Sequence, residues 1–279
     1  MIFEENFRYF TFWNAIEMGL YFVIVGYYFL LFAFFLLMRF RTSKRLYWLF
    51  FSLLFLCLAA GRVFFIAYYF FIPELDLSKQ EIARILMLYY RLATFSTWLG
   101  IACLMGVLGI LLFPPEAEIE REKSESQKFE LTPLMKKILR ILLIVAPIII
   151  GILALVLPDN LFMDPQIVED YDLDMDLVTI NAFGWKYPAG RFILNFVLAP
   201  IFMAVIPFLF LYLAWKTFGV LRRSYTLNAI GFFLYYTGRI LHGVFEVLEW
   251  PHLQSTVPSL IILLSLLIIV IANNYEQLR

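Results

Sequence analysis

Charge is what this sequence has least of. Only 16% of its 279 residues are Asp, Glu, Lys or Arg, and 63% are apolar. An ordinary soluble domain has roughly 25% charged residues. A deficit of that size excludes such a domain and places the chain in the membrane class. The 22 basic and 22 acidic residues cancel, and no basic patch alternates with exposed aromatics, so nucleic acid is excluded as a partner. Cysteine is almost missing. Cys57 and Cys103 both fall in apolar runs, without CxxC spacing, and form neither a disulfide framework nor a metal site. Histidine is equally scarce. His242 and His252 lie too far apart in sequence for the one-turn spacing of a helical zinc site. Intramembrane hydrolases need several His and Asp in adjacent helices, and these are lacking. Dinucleotide and P-loop fingerprints are also lacking. The expectation is a protein with no metal, no cofactor and no catalytic residue, hence not an enzyme. The start, MIFEENFRYF, has no basic n-region and no small-residue cleavage site. The first apolar run is therefore expected to be a retained spanning helix.

Long apolar runs, in contrast, are plentiful. A spanning helix needs about 20 apolar residues to cross roughly 30 Å. Seven segments qualify, at 12–38, 46–71, 83–113, 137–157, 190–217, 225–248 and 257–274. The expected fold class is all-α: one polytopic transmembrane domain of seven helices. Segments 4 and 7 are the most uniformly aliphatic and are expected to pack and to face lipid.

Loop charges set the orientation. The 1–2 loop holds Arg39, Arg41, Lys44 and Arg45. The 3–4 loop and its exit hold Arg121, Lys123, Lys128, Lys136, Lys137 and Arg140. The 5–6 loop holds Lys216, Arg222 and Arg223. With Arg279, one side carries 14 basic residues, against 5 on the other. The N-terminus is therefore expected outside and the C-terminus in the cytoplasm, in the plasma membrane. Segment 114–136 reads as a charged cytoplasmic loop. Segment 158–189 reads as an acidic and aromatic extracellular loop that folds back over the helix ends. Its acids, Asp164, Glu169, Asp170, Asp172, Asp174 and Asp176, lack the central Gly and terminal Glu of an EF-hand. They read as a solvated lid.

A faint repeat relates the two halves. Segment 2 begins KRLYW and reaches Gly61-Arg62; segment 6 begins RRSYT and reaches Gly238-Arg239 at nearly the same depth. A 3+1+3 duplication with parallel halves and segment 4 as linker would give this pattern.

The polar residues within the spans carry the functional reading. On segment 6, Tyr235, Arg239, His242, Glu246 and Glu249 share a stripe about 80° wide. Lipid cannot satisfy them, so the stripe must face protein or water. Segment 2 offers Arg62. Segment 3 offers Tyr90, Arg91, Thr94 and Trp98. Segment 1 offers Glu17, Tyr21 and Tyr28, and segment 5 offers Arg191 and Asn195. All are expected in the outer half, meeting in one chamber. Glu17 and Glu246 are each expected to pair with an arginine. If every charge is paired, the cluster is structural glue. If an arginine is left over, its planar fork of donors suits a carboxylate or phosphate. The ligand-binding set is therefore Arg62, Arg91, Arg239, His242, Glu246, Glu17, Tyr21, Trp98 and Tyr235.

Seven spans with an outer N-terminus resemble in layout the receptors coupled to G proteins. The third span, however, ends GILLFPPE without an acidic-Arg-aromatic triplet. The seventh, VPSLIILLSLLIIVIANN, lacks the lysine that a microbial-type rhodopsin needs for its Schiff base. In layout the chain is also similar to the seven-helix sensory regions that precede kinase domains in prokaryotes, with a last span continuing as VIANNYEQLR. That likeness is one of layout. It implies a receptor-like or sensor-like protein: a small anionic or zwitterionic ligand enters from outside, and the basic 5–6 loop and C-terminus signal to a cytoplasmic protein partner. Two alternatives stand beside it. One is a secondary transporter of a small polar solute, suggested by the repeat and by Pro147, Pro200 and Pro207 as bend points. The other is a non-catalytic subunit of a larger membrane complex.

Overall fold

The computed structural model describes residues 11–113, 132–182, 185–248 and 250–274. The expectations for the N-terminal ten residues, for most of the 3–4 loop and for the last five residues lie outside these. Each apolar run becomes one long helix: α1 (Phe12–Ser43), α2 (Leu46–Glu74) and α3 (Lys79–Leu112), α4 (Pro133–Val156), α5 (Ala189–Lys216), α6 (Gly219–Val247) and α7 (Pro251–Asn274).

Local chemistry places the ends. Thr11 caps α1, its side chain accepting from the Asn14 amide. Ser78 and Glu81 form a reciprocal capping box at the start of α3. Thr132 followed by Pro133 opens α4, the proline sitting where its missing N–H is harmless. The α1–α2 and α5–α6 turns are both two residues long. One contains Lys44 at φ 56°, and the other is followed by Gly219 at φ +62°. That left-handed conformation costs glycine nothing. Three helices widen into π-turns, at Phe34–Phe40 in α1, Ala67–Phe71 in α2 and Phe192–Leu198 in α5.

Six of the seven helices, all but α6, are long and apolar enough to cross a membrane. The chain is thus an integral, multi-pass membrane protein of essentially all-α fold. α6 matches the others in length but is too polar in composition. Arg222, Arg223, Arg239 and His242 lie along it. The departure from all-α is a two-stranded hairpin in the loop after α4, β1 (Thr179–Ala182) antiparallel to β2 (Trp185–Pro188), with Thr179 opposite Pro188.

The helices close into a circuit. α1 packs on α2, α2 on α3, α3 on α5, α5 on α6, α6 on α7, and α7 on α1. α4 lies outside this circuit against α3. It leaves Ile138, Ile141, Leu142, Val145, Ile149 and Ile152 exposed, an aliphatic face suited to lipid. α3 is the most enclosed of the six apolar helices.

Lipid tails are as apolar as leucine, so helix association here rests on close packing rather than on escape from water. Two glycines show this on α6. A Cβ at Gly231 would lie 2.6 Å from Ile269 Cγ1, and one at Gly238 would lie 3.0 Å from the Pro258 carbonyl oxygen. Both positions let α7 approach the α6 backbone. The middle of the bundle is filled with aromatic rings: Phe35 stacks on Phe55 with ring centroids 5.6 Å apart, and Phe210 on Phe232 at 5.5 Å. A second apolar cluster lies at the hairpin end, where Phe162 of the loop is fully buried among Ile82, Leu86 and Tyr90 of α3.

Candidate functional site

The candidate site is a cavity of about 100 Å³ at the end of the bundle that holds the start of α1. Arg62 comes from α2, Arg239 and His242 from α6, Ser259 from α7 and Tyr21 from α1. Phe65 and Ile262 make its apolar wall. Tyr69, also on the wall, projects from the π-turn of α2, with its ring 6.4 Å from that of His242. A π-turn shifts the register of the side chains that follow it, and such turns are frequent at functional sites.

The sequence reading pairs Glu17 with an arginine; in the structure its described partners are a phenol and an imidazole. Its Oε1 accepts from the Tyr21 hydroxyl at 2.5 Å, and His242 Nε2 lies 3.0 Å from the same oxygen. Arg62 meets this group through the phenol ring: its guanidinium carbon stands 4.3 Å from the Tyr21 centroid. The chain of contacts runs His242, Glu17, Tyr21, Arg62. Glu17 therefore orients Arg62 at second hand, by fixing the ring on which it stacks. Above it, the Trp13 and His252 rings pack 4.2 Å apart and join the starts of α1 and α7.

Among the described residues, neither Arg62 nor Arg239 has a carboxylate within ion-pair distance. The Glu246 backbone continues α6, but its side chain and all of Glu249 lie outside the described residues. Tyr235 faces inward on the predicted stripe and accepts from the Tyr28 hydroxyl at 3.3 Å. It borders a separate void of only about 20 Å³, deeper in the bundle, whose wall Arg239 also joins.

Two further residues of the predicted ligand-binding set do not line the cavity. Arg91 serves the far side of α3. Its Nη1 donates to the carbonyls of Ala154 (3.0 Å) and Leu155 (2.9 Å). Nη2 donates to Leu157 O and, at 2.7 Å, to Asp159. Those are the last, otherwise unpaired carbonyls of α4, and a cation is the natural cap for them. Trp98 is 1% exposed, with its indole edge-on to Phe202 of α5 and its Cβ close to Gly151 of α4. Both residues share the depth of the cavity but face α4 and α5. Arg191 is likewise a fastener. It donates from Nε to Phe162 O (2.6 Å) and from Nη1 to Asp164 (2.7 Å), and it stacks 3.7 Å over Tyr90.

A second polar group went unremarked in the sequence. At the opposite end of the bundle, Arg39 donates to Asn273 O (3.1 Å) and Asn274 Oδ1 (2.8 Å). Tyr47 donates to Asn273 Oδ1, and Asn273 donates to Asn228 Oδ1 at 3.0 Å. The network joins α1, α2, α6 and α7. Its signal was Asn273-Asn274 ending α7 and a lone Asn228 within α6, neither of them charged.

Among the described residues, no three His, Cys, Asp or Glu side chains are grouped to hold a metal ion. No family model, no curated protein and no solved structure matches the chain.

Proposed function

We propose that this chain is a receptor-like or sensor-like membrane protein of seven spans. α6 counts as the seventh: it is wedged between α5 and α7, and its 29 residues reach about 44 Å. With the orientation drawn from loop charge, the N-terminus is outside, the C-terminus is cytoplasmic, and the Arg62–Arg239 cavity opens in the outer half of a plasma-membrane protein. A small anionic or zwitterionic ligand binds there. The observation that carries this reading is the pair of guanidiniums on one cavity wall with no described carboxylate partner. A membrane-embedded cation without a counter-ion is costly, so evolution retains it where function uses it.

Signal would pass along α6 and α7. Their glycine-mediated packing makes them one stiff unit. That unit meets the ligand through Arg239, His242 and Ser259 at one end and holds Arg39 and Tyr47 through Asn228, Asn273 and Asn274 at the other. A ligand that favours one tilt of the pair would shift those inner contacts, and with them the surface offered to a cytoplasmic partner.

One observation favours transport as the second reading. α1–α2–α3 and α5–α6–α7 pack in the same order, and the circuit closes equivalently through α3–α5 and α7–α1. Gly61 approaches the Ala93 carbonyl of α3 as Gly238 approaches the Pro258 carbonyl of α7, each followed by a cavity arginine. This agrees with a 3+1+3 duplication, a common transporter plan. Against it, the void behind Arg239 has room for about one water. Reconstitution into proteoliposomes separates the two. Ligand-induced thermal stabilisation without uptake is expected, and concentrative uptake would replace sensing with transport.

A further inference from the structure

The dimensions and chemistry of the cavity narrow its ligand. We infer that the Arg62–Arg239 cavity takes a small planar oxyanion of single negative charge and three or four heavy atoms, in the class of formate, acetate, bicarbonate or nitrate. This rests on the ligand-pocket reading above and adds size, shape and charge to it.

Size is the first constraint. A dry engineered cavity of about 150 Å³ admits benzene, with its six heavy atoms. The 100 Å³ here is two thirds of that, so about four heavy atoms fill it. Amino acids with side chains, sugars and aromatic acids would have to project beyond it.

Charge is the second. Two guanidiniums line the wall, and the Glu17 carboxylate is already bonded to Tyr21 and His242. A zwitterion would bring an ammonium group toward two cations, with Glu17 turned to its own partners. A monoanion meets complementary charge from both guanidiniums.

Shape is the third. Each guanidinium presents parallel N–H donors in a plane, which suits the two or three coplanar oxygens of a trigonal anion better than a spherical halide. The supporting walls hold this geometry. Arg62 is stacked on Tyr21, whose hydroxyl is fixed by Glu17. The backbone that carries Arg239 is held by the close approach of Gly238 to α7. The Ser259 hydroxyl adds a neutral donor, and Phe65 and Ile262 supply apolar wall beside Tyr69 and His242. A ligand so small cannot bind tightly: a Kd on the order of tens of micromolar is the ceiling for about four heavy atoms.

The test uses the full chain in nanodiscs, in a buffer whose anion is too large for the cavity. Melting temperature is followed while sodium formate, acetate, nitrate, chloride, glycine and benzoate are titrated from micromolar to 100 mM. Formate, acetate and nitrate should each stabilise the protein saturably, as a ligand specific for the folded state must. Chloride should be weaker, and glycine and benzoate inert. Arg62→Gln and Arg239→Gln should each weaken acetate by at least tenfold. Arg62→Lys should keep the charge but lose the preference for acetate over chloride, and Arg84→Gln, at the exposed start of α3, should change nothing. If glycine or benzoate binds in an Arg239-dependent way and the small oxyanions do not, the size and charge assignment falls while a ligand pocket survives. If nothing stabilises any variant, both readings fall. Equal stabilisation by acetate in wild type and in both glutamine variants overturns the site itself.

Discussion

Arg91 and Arg191 sit at the same end of the bundle as Arg62 and Arg239, yet the two pairs are used differently. The first pair donates to the carbonyls of Ala154, Leu155, Leu157 and Phe162 and to Asp159 and Asp164. These arginines fasten the end of α4 and the loop that follows it to the hairpin end of α3 and α5. The second pair faces a cavity and, among the described residues, has no acidic partner. What separates a fastening arginine from one that faces a cavity is therefore where its donors go, rather than how deep it lies. Stability and binding should divide along the same line, which four experiments can break or sharpen.

The largest effect should come from Arg91→Ala. It would strip four hydrogen bonds from a buried cation site and leave three helix-end carbonyls without partners, a loss of about 3–5 kcal/mol. Thermal unfolding in detergent should show a collapse in melting temperature, with only partial recovery in Arg91→Lys. A wild-type melt would remove Arg91 from the fastening role.

Arg191→Ala should cost roughly 2–3 kcal/mol, since only one carbonyl and one carboxylate lose a donor. Hydrogen exchange should accelerate across 158–182 and stay unchanged in α6 and α7. Uniform acceleration would mean that the loop is not a separable unit.

Third come the two glycines of the paired Gly-Arg steps. Gly238→Ala meets both Pro258 O and Ile262 Cγ1 at 3.0 Å, whereas Gly61→Ala meets Ala93 O at 3.3 Å. Overpacking of this kind costs about 1–3 kcal/mol, partly offset by about 1 kcal/mol of gained helix propensity. The α6–α7 contact should suffer visibly in a melt while the α2–α3 contact stays near neutral. The reverse order would undermine the stiff α6–α7 unit.

The smallest change in stability should come from Arg62→Gln and Arg239→Gln, within about 1 kcal/mol of wild type without ligand, because no described ion pair is broken. A loss as deep as that of Arg91→Ala would erase the contrast and make all four arginines glue.

Much of this architecture was legible in the sequence, for a plain physical reason. Twenty apolar residues in a row admit few structures other than a spanning helix, and each of the seven runs is one helix whose ends lie within several residues of the run's ends. Hydropathy also gives depth, and it put Arg62, Arg91 and Arg239 at comparable levels. It gives no azimuth. Arg91 and Trp98 share a level with the cavity but look toward α4 and α5, and only the order of helices around the circuit decides that. The partners of Arg91 were invisible for another reason: three of its four acceptors are main-chain carbonyls, which every residue carries. Glu17 was read as an arginine's partner because charge complementarity is the first pairing one looks for. A phenol and an imidazole took its oxygen instead. The Asn228–Asn273 bridge escaped because neutral amides barely register on a scale that weighs charge. The hairpin was foreshadowed only by the turn-rich NAFGWKYPAG.

The cap that Arg91 places on α4 has a consequence for biogenesis. Arg91 precedes α4 in the chain, so its guanidinium is already made when the last turn of α4 is synthesised. Its unpaired carbonyls need never meet hydrocarbon alone, and Asp159, two residues past Leu157, arrives in time to close the fourth bond. A helix that packs on α3 from outside the circuit is thereby fastened at its end as well as along its length.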